Sequence, residues 1–149
     1  MTGGRGAAPG AQQLAERVQQ AMLERDAFSQ WLGVEVLAIG PGTCTLRMTV
    51  RPEMLNGFAV AHGGIAFSVA DSAFAFACNT HGRITVSIEN SITYPAAIRA
   101  GDVLTAVARE EASSERLGYY RVDVTRGDEI VGLFRGTAYR TAKEHFPNA

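Results

Sequence analysis

Between residues 11 and 28, apolar side chains recur at every fourth position, Leu14, Val18 and Met22, among Gln, Glu and Arg. That is the narrow stripe of an amphipathic helix. Docking on a core by that stripe is the simple reading, and a lid or an oligomer contact is the other. From Val34 the period shortens to two. Val34 to Ile39, the turn Gly40-Pro41-Gly42, and then Cys44, Leu46, Met48 and Val50 alternating with Thr45, Arg47 and Thr49 predict a hairpin of two strands. Arg51 to Leu55 reads as a short helical turn. Asn56 to Gly64 reads as a loop, because three glycines in nine residues allow backbone angles that other residues avoid.

Ile65 to Asn79 is apolar nearly all round and contains neither Pro nor Gly, the mark of a buried helix. Four strand-like segments follow, near 84 to 93, 102 to 112, 118 to 126 and 129 to 140. Turn chemistry separates them at Tyr94-Pro95 onward, Ser113-Ser114-Glu115 and Arg126-Gly127-Asp128. Short turns between the last three favour antiparallel pairing. The expected fold class is therefore α+β, one long central helix wrapped by a curved antiparallel sheet of about six strands. Residues 1 to 28 are expected to form an arm, a mobile Gly/Ala/Pro tail up to residue 11 followed by the amphipathic helix, and residues 29 to 149 the folded domain.

A length of 149 residues fits one core. Fourteen Lys and Arg against fifteen Asp and Glu leave a formal charge of -1, which argues against the broad basic field of a nucleic-acid binder. No run approaches the roughly 20 apolar residues of a membrane helix, and the first ten residues lack the apolar stretch of a signal peptide. Two cysteines make no disulfide framework, and three scattered histidines show no zinc spacing. A cytoplasmic protein without a metal, a membrane or a nucleic-acid partner is expected.

Asp71 lies near the middle of the apolar helix, with Phe67 at i-4 and Phe74 at i+3, where an unpaired carboxylate is costly to desolvate. It needs a partner, a crevice or a function, and Ser68 at i-3 is a structural partner within reach. His62-Gly63-Gly64 feeds the same helix. Its first N–H groups carry partial positive charge, so backbone donors there suit a carbonyl or an oxyanion. A plain turn before a helix is the alternative.

Taken together, Asn56, His62-Gly63-Gly64 and Asp71, with Ser87 and Ser91-Ile92-Thr93-Tyr94-Pro95 in the next strand, resemble the hot dog fold thioesterases of the phenylacetate-degradation type. The resemblance covers about Phe28 to Arg140, and Asn56 to Asn79 is its specific part. It implies hydrolysis of acyl-CoA thioesters with no cofactor beyond the coenzyme A of the substrate. It further implies that Asn56 and the Gly63 amide bind the thioester carbonyl, that His62 orders the loop, that Asp71 is general base or nucleophile, and that Ser87 assists.

Gly63 and Asp71 are eight residues apart, roughly 12 Å along one helix at about 1.5 Å per residue. Both must come within about 3 Å of the reacting atoms. If they serve one thioester, they come from different subunits facing across a two-fold interface. The resemblance implies the same, a homodimer with its site at the seam, assembled as a homotetramer. Arg83, Arg99 and Arg116 are the candidates for the CoA phosphates, each equally readable as a solvated turn charge. Gly64, Phe58, Phe67 and Phe74 are candidates for the substrate pocket, where aromatic rings would suit an aryl or arylacetyl group, unless Phe67 and Phe74 only fill the core. Two other uses of such a fold stand beside thioester hydrolysis: a dehydratase or hydratase working through a His and a helix acid, and a non-catalytic acyl-CoA binding module. No Gly-x-Ser-x-Gly elbow or Gly-x-x-x-x-Gly-Lys loop supports a serine hydrolase or a nucleotidase. Cys78 reads as a small hydrophobe.

Overall fold

The computed structural model describes residues 10 to 147, so the expected mobile tail lies outside the described residues except at its last two positions. Two helices, α1 (Ala11–Arg25) and α2 (Ala27–Leu32), lead into strands β1 (Glu35–Gly40) and β2 (Thr43–Thr49). A 3-10 turn at Pro52–Met54 precedes the central helix α3 (Gly63–Asn79). Then come β3 (Arg83–Thr93), β4 (Val103–Ser113), β5 (Leu117–Arg126) and β6 (Glu129–Glu144). The single helix expected up to Phe28 is broken at Asp26. The Asp26 carboxylate accepts from the Ser29 N–H at 2.9 Å and from the Ser29 hydroxyl at 2.6 Å, capping α2 as a separate helix. The boundary expected after residue 28 falls inside α2.

All strand pairings are antiparallel, in the order β1-β2-β4-β5-β6-β3. Alternation sends Cys44, Leu46 and Met48 of β2, Leu104, Ala106 and Ala108 of β4, and Val122 and Val124 of β5 to one face, where all are buried. Against that face packs α3, contributing Val69, Ala70, Ala73, Phe74, Phe76 and Ala77 with no exposed surface. This is the hot dog arrangement of the expected α+β class. Each such Val, Leu or Phe stabilises the fold by about 1.5–3 kcal/mol. Alanines along α3 let the curved sheet close around it.

The arm is part of this core. Ala15 and Val18 of α1 are fully buried, Gln12 donates to the Ile39 carbonyl of edge strand β1 at 2.8 Å, and Ser29 shares a 2.8 Å hydrogen bond with Ser72 of α3. At the other edge, β3 leaves Ile84, Val86 and Ile88 exposed. On α3, a stripe of Gly64, Phe67, Ser68, Asp71 and Ala75 is only partly covered. The register of β3 against β6 shifts between Ser87 and Glu89, a bulge that resets which residues face α3. No helix is long and apolar enough to cross a membrane, and no cluster of metal-ligating side chains occurs among the described residues.

Candidate active site

Backbone pairing builds the entrance to α3. The Asn56 N–H donates to the Val60 carbonyl at 2.8 Å, the Ala61 N–H to Ile98 at 2.7 Å and the His62 N–H to Met54 at 2.9 Å. Asn56 Oδ1 accepts from the N–H of Phe58 at 2.8 Å and of Val60 at 3.4 Å. Its oxygen is thus occupied in shaping the loop, and its Nδ2 remains as the donor. The turn forces Ala59 to φ 60, a left-handed conformation unusual for a residue with a Cβ.

His62 caps α3, its Nδ1 accepting from the Gly64 N–H at 2.9 Å. Gly64, expected at the substrate pocket, therefore has its amide spent on the cap. The Gly63 N–H has no acceptor among the described residues, which leaves it as the donor at the positive end of the helix. Tyr94, at the end of β3, donates its hydroxyl to the Gly63 carbonyl at 2.8 Å. A Cβ at Gly63 would come within 3.1 Å of that hydroxyl oxygen, a contact tight enough that the Tyr94 side chain would have to give way. A cavity of about 250 Å³ opens here, lined by Val60, Ala61, His62, Gly63, Tyr94 and Ile98 among others.

Asp71 lies two turns further along α3 and is half-buried. Its partner is not Ser68, which sequence spacing offered, but Asn90 of β3, whose Nδ2 donates to Asp71 Oδ1 at 3.2 Å. Burial raises the pKa of the Asp71 carboxyl above the ordinary carboxylate value. The Asn90 hydrogen bond opposes that shift, and the negative charge of Asp26 adds to it. Ser87, expected beside Asp71, is hydrogen-bonded instead to Asn90 Oδ1 at 2.8 Å. Strict alternation places residues three apart on opposite faces of a strand, and the bulge after Ser87 brings Ser87 and Asn90 onto one face.

Other expected site residues disperse. Phe74 is fully enclosed, its ring 5.4 Å from Tyr120 and 5.8 Å from Phe134, and serves the core rather than a pocket wall. Phe67 is half-buried, edge-on to Phe134 at 5.5 Å. Phe58 projects from the loop, 88% exposed. Of the three arginines, exposed Arg99 follows Ile98 at the Gly63 end. Arg83 donates to the Thr141 carbonyl at 2.7 Å and Arg116 to the Tyr139 hydroxyl at 2.9 Å, both at the opposite end of the sheet within one chain. Cys44 and Cys78 are buried thiols, each pushed up to about 12 chiefly by desolvation, and behave as hydrophobes. Asn90 and Tyr94 are the site residues that spacing did not single out by role. The hint for Tyr94 was the Ser91 to Pro95 segment; Asn90 had none, because its face depends on the bulge.

Residues 58–133 match the family model described as the thioesterase superfamily. Over 121 residues the chain is 39% identical to the acyl-coenzyme A thioesterase PaaI of Escherichia coli, spanning 80% of this chain and 86% of that one. It is 38% identical over 136 residues to a putative esterase of Archaeoglobus fulgidus, covering 91% and 88% respectively. The solved structure of the E. coli PaaI protein from the phenylacetic acid degradation operon superposes with a TM-score of 0.87 at 35% identity, covering 90% of this chain and 98% of the other.

Proposed function

The chain belongs to the thioesterase superfamily, and from that premise we propose that it hydrolyses acyl-CoA thioesters, with aryl or arylacetyl thioesters preferred, at a seam between two copies of itself. The observation that carries the reading is the pairing of an unengaged Gly63 N–H beside a cavity with a half-buried Asp71 eight residues further along the same helix. That separation is roughly 12 Å, too far for one thioester within one chain. A second copy is the occupant that both the incompletely covered stripe on α3 and the apolar edge of β3 call for, since an exposed sheet edge carrying Ile84, Val86 and Ile88 favours pairing. Two such dimers form the tetramer. Two unpaired, buried thiols suit a reducing cytoplasm.

In this reaction the Gly63 amide and Asn56 Nδ2 donate to the thioester oxygen as it gains negative charge. Asp71 of the partner subunit takes a proton from water while the water oxygen bonds to the carbonyl carbon. The C–S bond then breaks, its electron pair leaves with the thiolate, and the proton held by Asp71 passes to that sulfur. In the nucleophilic variant the carboxylate oxygen attacks, the thiolate departs, and water opens the mixed anhydride to restore Asp71. His62 positions Gly63 through the cap. With Nδ1 committed as acceptor to the Gly64 N–H, His62 has no free acceptor nitrogen to offer the substrate of a dehydratase or hydratase. Phe58 and Phe67 are the aromatic surfaces offered to an aryl group.

The test is thiol release from a panel running from short aliphatic to benzoyl and hydroxyphenylacetyl thioesters, with enoyl-CoA hydration followed in parallel. Turnover of the aryl members, lost in Asp71→Asn while the oligomer persists, is expected. Near-normal hydrolysis in that variant, or hydration of enoyl-CoA without CoA release, would overturn the assignment.

A further inference from the structure

We propose that Asn90 is a positioning residue that holds the Asp71 carboxylate in place, and that Ser87 acts through Asn90 instead of touching the reacting atoms. The proposal rests on the reading of Asp71 as the catalytic carboxylate. Its basis is a linear set of contacts. Ser87 Oγ lies 2.8 Å from Asn90 Oδ1, and Asn90 Nδ2 lies 3.2 Å from Asp71 Oδ1. A carboxamide can turn either its oxygen or its nitrogen toward a neighbour. The Ser87 hydroxyl, donating to the oxygen, leaves the NH₂ group facing the carboxylate.

The fold is shaped to admit this side chain. The β3 bulge turns Ser87 and Asn90 to the same face, and opposite Asn90 on β6 stands Gly136. A Cβ there would lie 3.0 Å from Asn90 Oδ1 and 2.8 Å from the Phe74 ring. Glycine at 136 therefore leaves the room that the amide occupies.

The charged surroundings of Asp71 do not replace Asn90. Asp26, at the junction of α1 and α2, is negative and raises the Asp71 pKa; Cys78, on α3 itself, is a neutral thiol. Around Phe74, three residues on from Asp71, stand Phe134 and Gly136 of β6, neither of them charged, and Tyr120 of β5, whose phenol burial keeps protonated. Among the described residues of one chain no cation acts on Asp71, and the Asn90 hydrogen bond is the contact that lowers its pKa. Removing that bond leaves desolvation unopposed.

The experiment compares the wild-type protein with Asn90→Leu, Ser87→Ala and the double variant. The Asp71 carboxyl is titrated by carbon NMR, and kcat and KM for a benzoyl thioester are measured across pH. Asn90→Leu should raise the Asp71 midpoint by about one pH unit and move the acid limb of kcat/KM with it. It should lower kcat at neutral pH by about 10- to 100-fold, with KM within about twofold. Ser87→Ala, at an exposed position, should shift both in the same direction by less, and the double variant should be no worse than Asn90→Leu alone. An unmoved Asp71 midpoint in Asn90→Leu, or fully additive losses, overturns the proposal. An active Asp71→Asn variant overturns the catalytic reading alone, because the titration reports the Asn90 contact without turnover.

Discussion

Gly136→Ala adds one methyl group in the middle of β6 and tests whether the site and the core share a wall. Gly136 is not at a positive φ, so its backbone accepts alanine without strain. By propensity alone, alanine in place of a strand glycine should stabilise by roughly 0.5–1 kcal/mol. The new Cβ, however, would stand 2.8 and 2.9 Å from two atoms of the Phe74 ring and 3.0 Å from Asn90 Oδ1, and that ring is fully buried against Tyr120 and Phe134. Overpacking of this kind costs about 1–3 kcal/mol, which outweighs the propensity gain in most of that range. For a domain of this size, a net loss of about 1–2 kcal/mol corresponds to a fall in Tm of roughly 3–8 °C. Thermal unfolding at fixed protein concentration reads it, and a cycle with Phe74→Leu locates the cause. Phe74→Leu alone should destabilise, yet in the Gly136→Ala background its cost should shrink as the clash is relieved. A Gly136→Ala variant more stable than wild type by the propensity amount, or a strictly additive cycle, would refute the argument.

Three further outcomes follow from particular residues. Ala59→Gly relieves the left-handed conformation at φ 60 and should stabilise by up to about 1 kcal/mol in thermal unfolding, where a loss would show the strain to be absent. Because burial raises the Asp71 pKa in the folded state, folding favours its protonated form. That contribution is present at low pH and is lost as pH rises through the folded pKa. Asp71→Asn should accordingly stabilise the protein at pH 7–8, with the advantage fading toward and below 3.8, the ordinary Asp value, and equal stability at neutral pH would contradict it. Cys44 and Cys78, pushed up to about 12 and buried, should resist an aromatic disulfide reagent at pH 8 until denaturant is added; prompt labelling of the folded protein would count against their enclosure.

Periodicity alone determined much of this protein. The switch from a four-residue stripe to alternation at Val34, and then to the all-round apolar segment ending at Asn79, marked the first two strands and the central helix, and turn chemistry divided the remainder into the last four strands, because burial acts on side chains at spacings set by backbone geometry. The loop from Asn56, the His62-Gly63-Gly64 entrance and Asp71 were legible too, since a carboxylate and adjacent glycines are out of place on an apolar helix unless something requires them. Tertiary structure decided the rest. It alone could assign Asn90 rather than Ser68 to Asp71, because a bulge opposite β6, which no local pattern announces, reverses the faces of β3 after Ser87. It alone could enclose Phe74, spend the Gly64 amide on the His62 cap and leave that of Gly63 unengaged, and carry Arg83 and Arg116 to the far end from Arg99. Those outcomes depend on which elements meet, and contact between residues distant in the chain is not written in the spacing of either one.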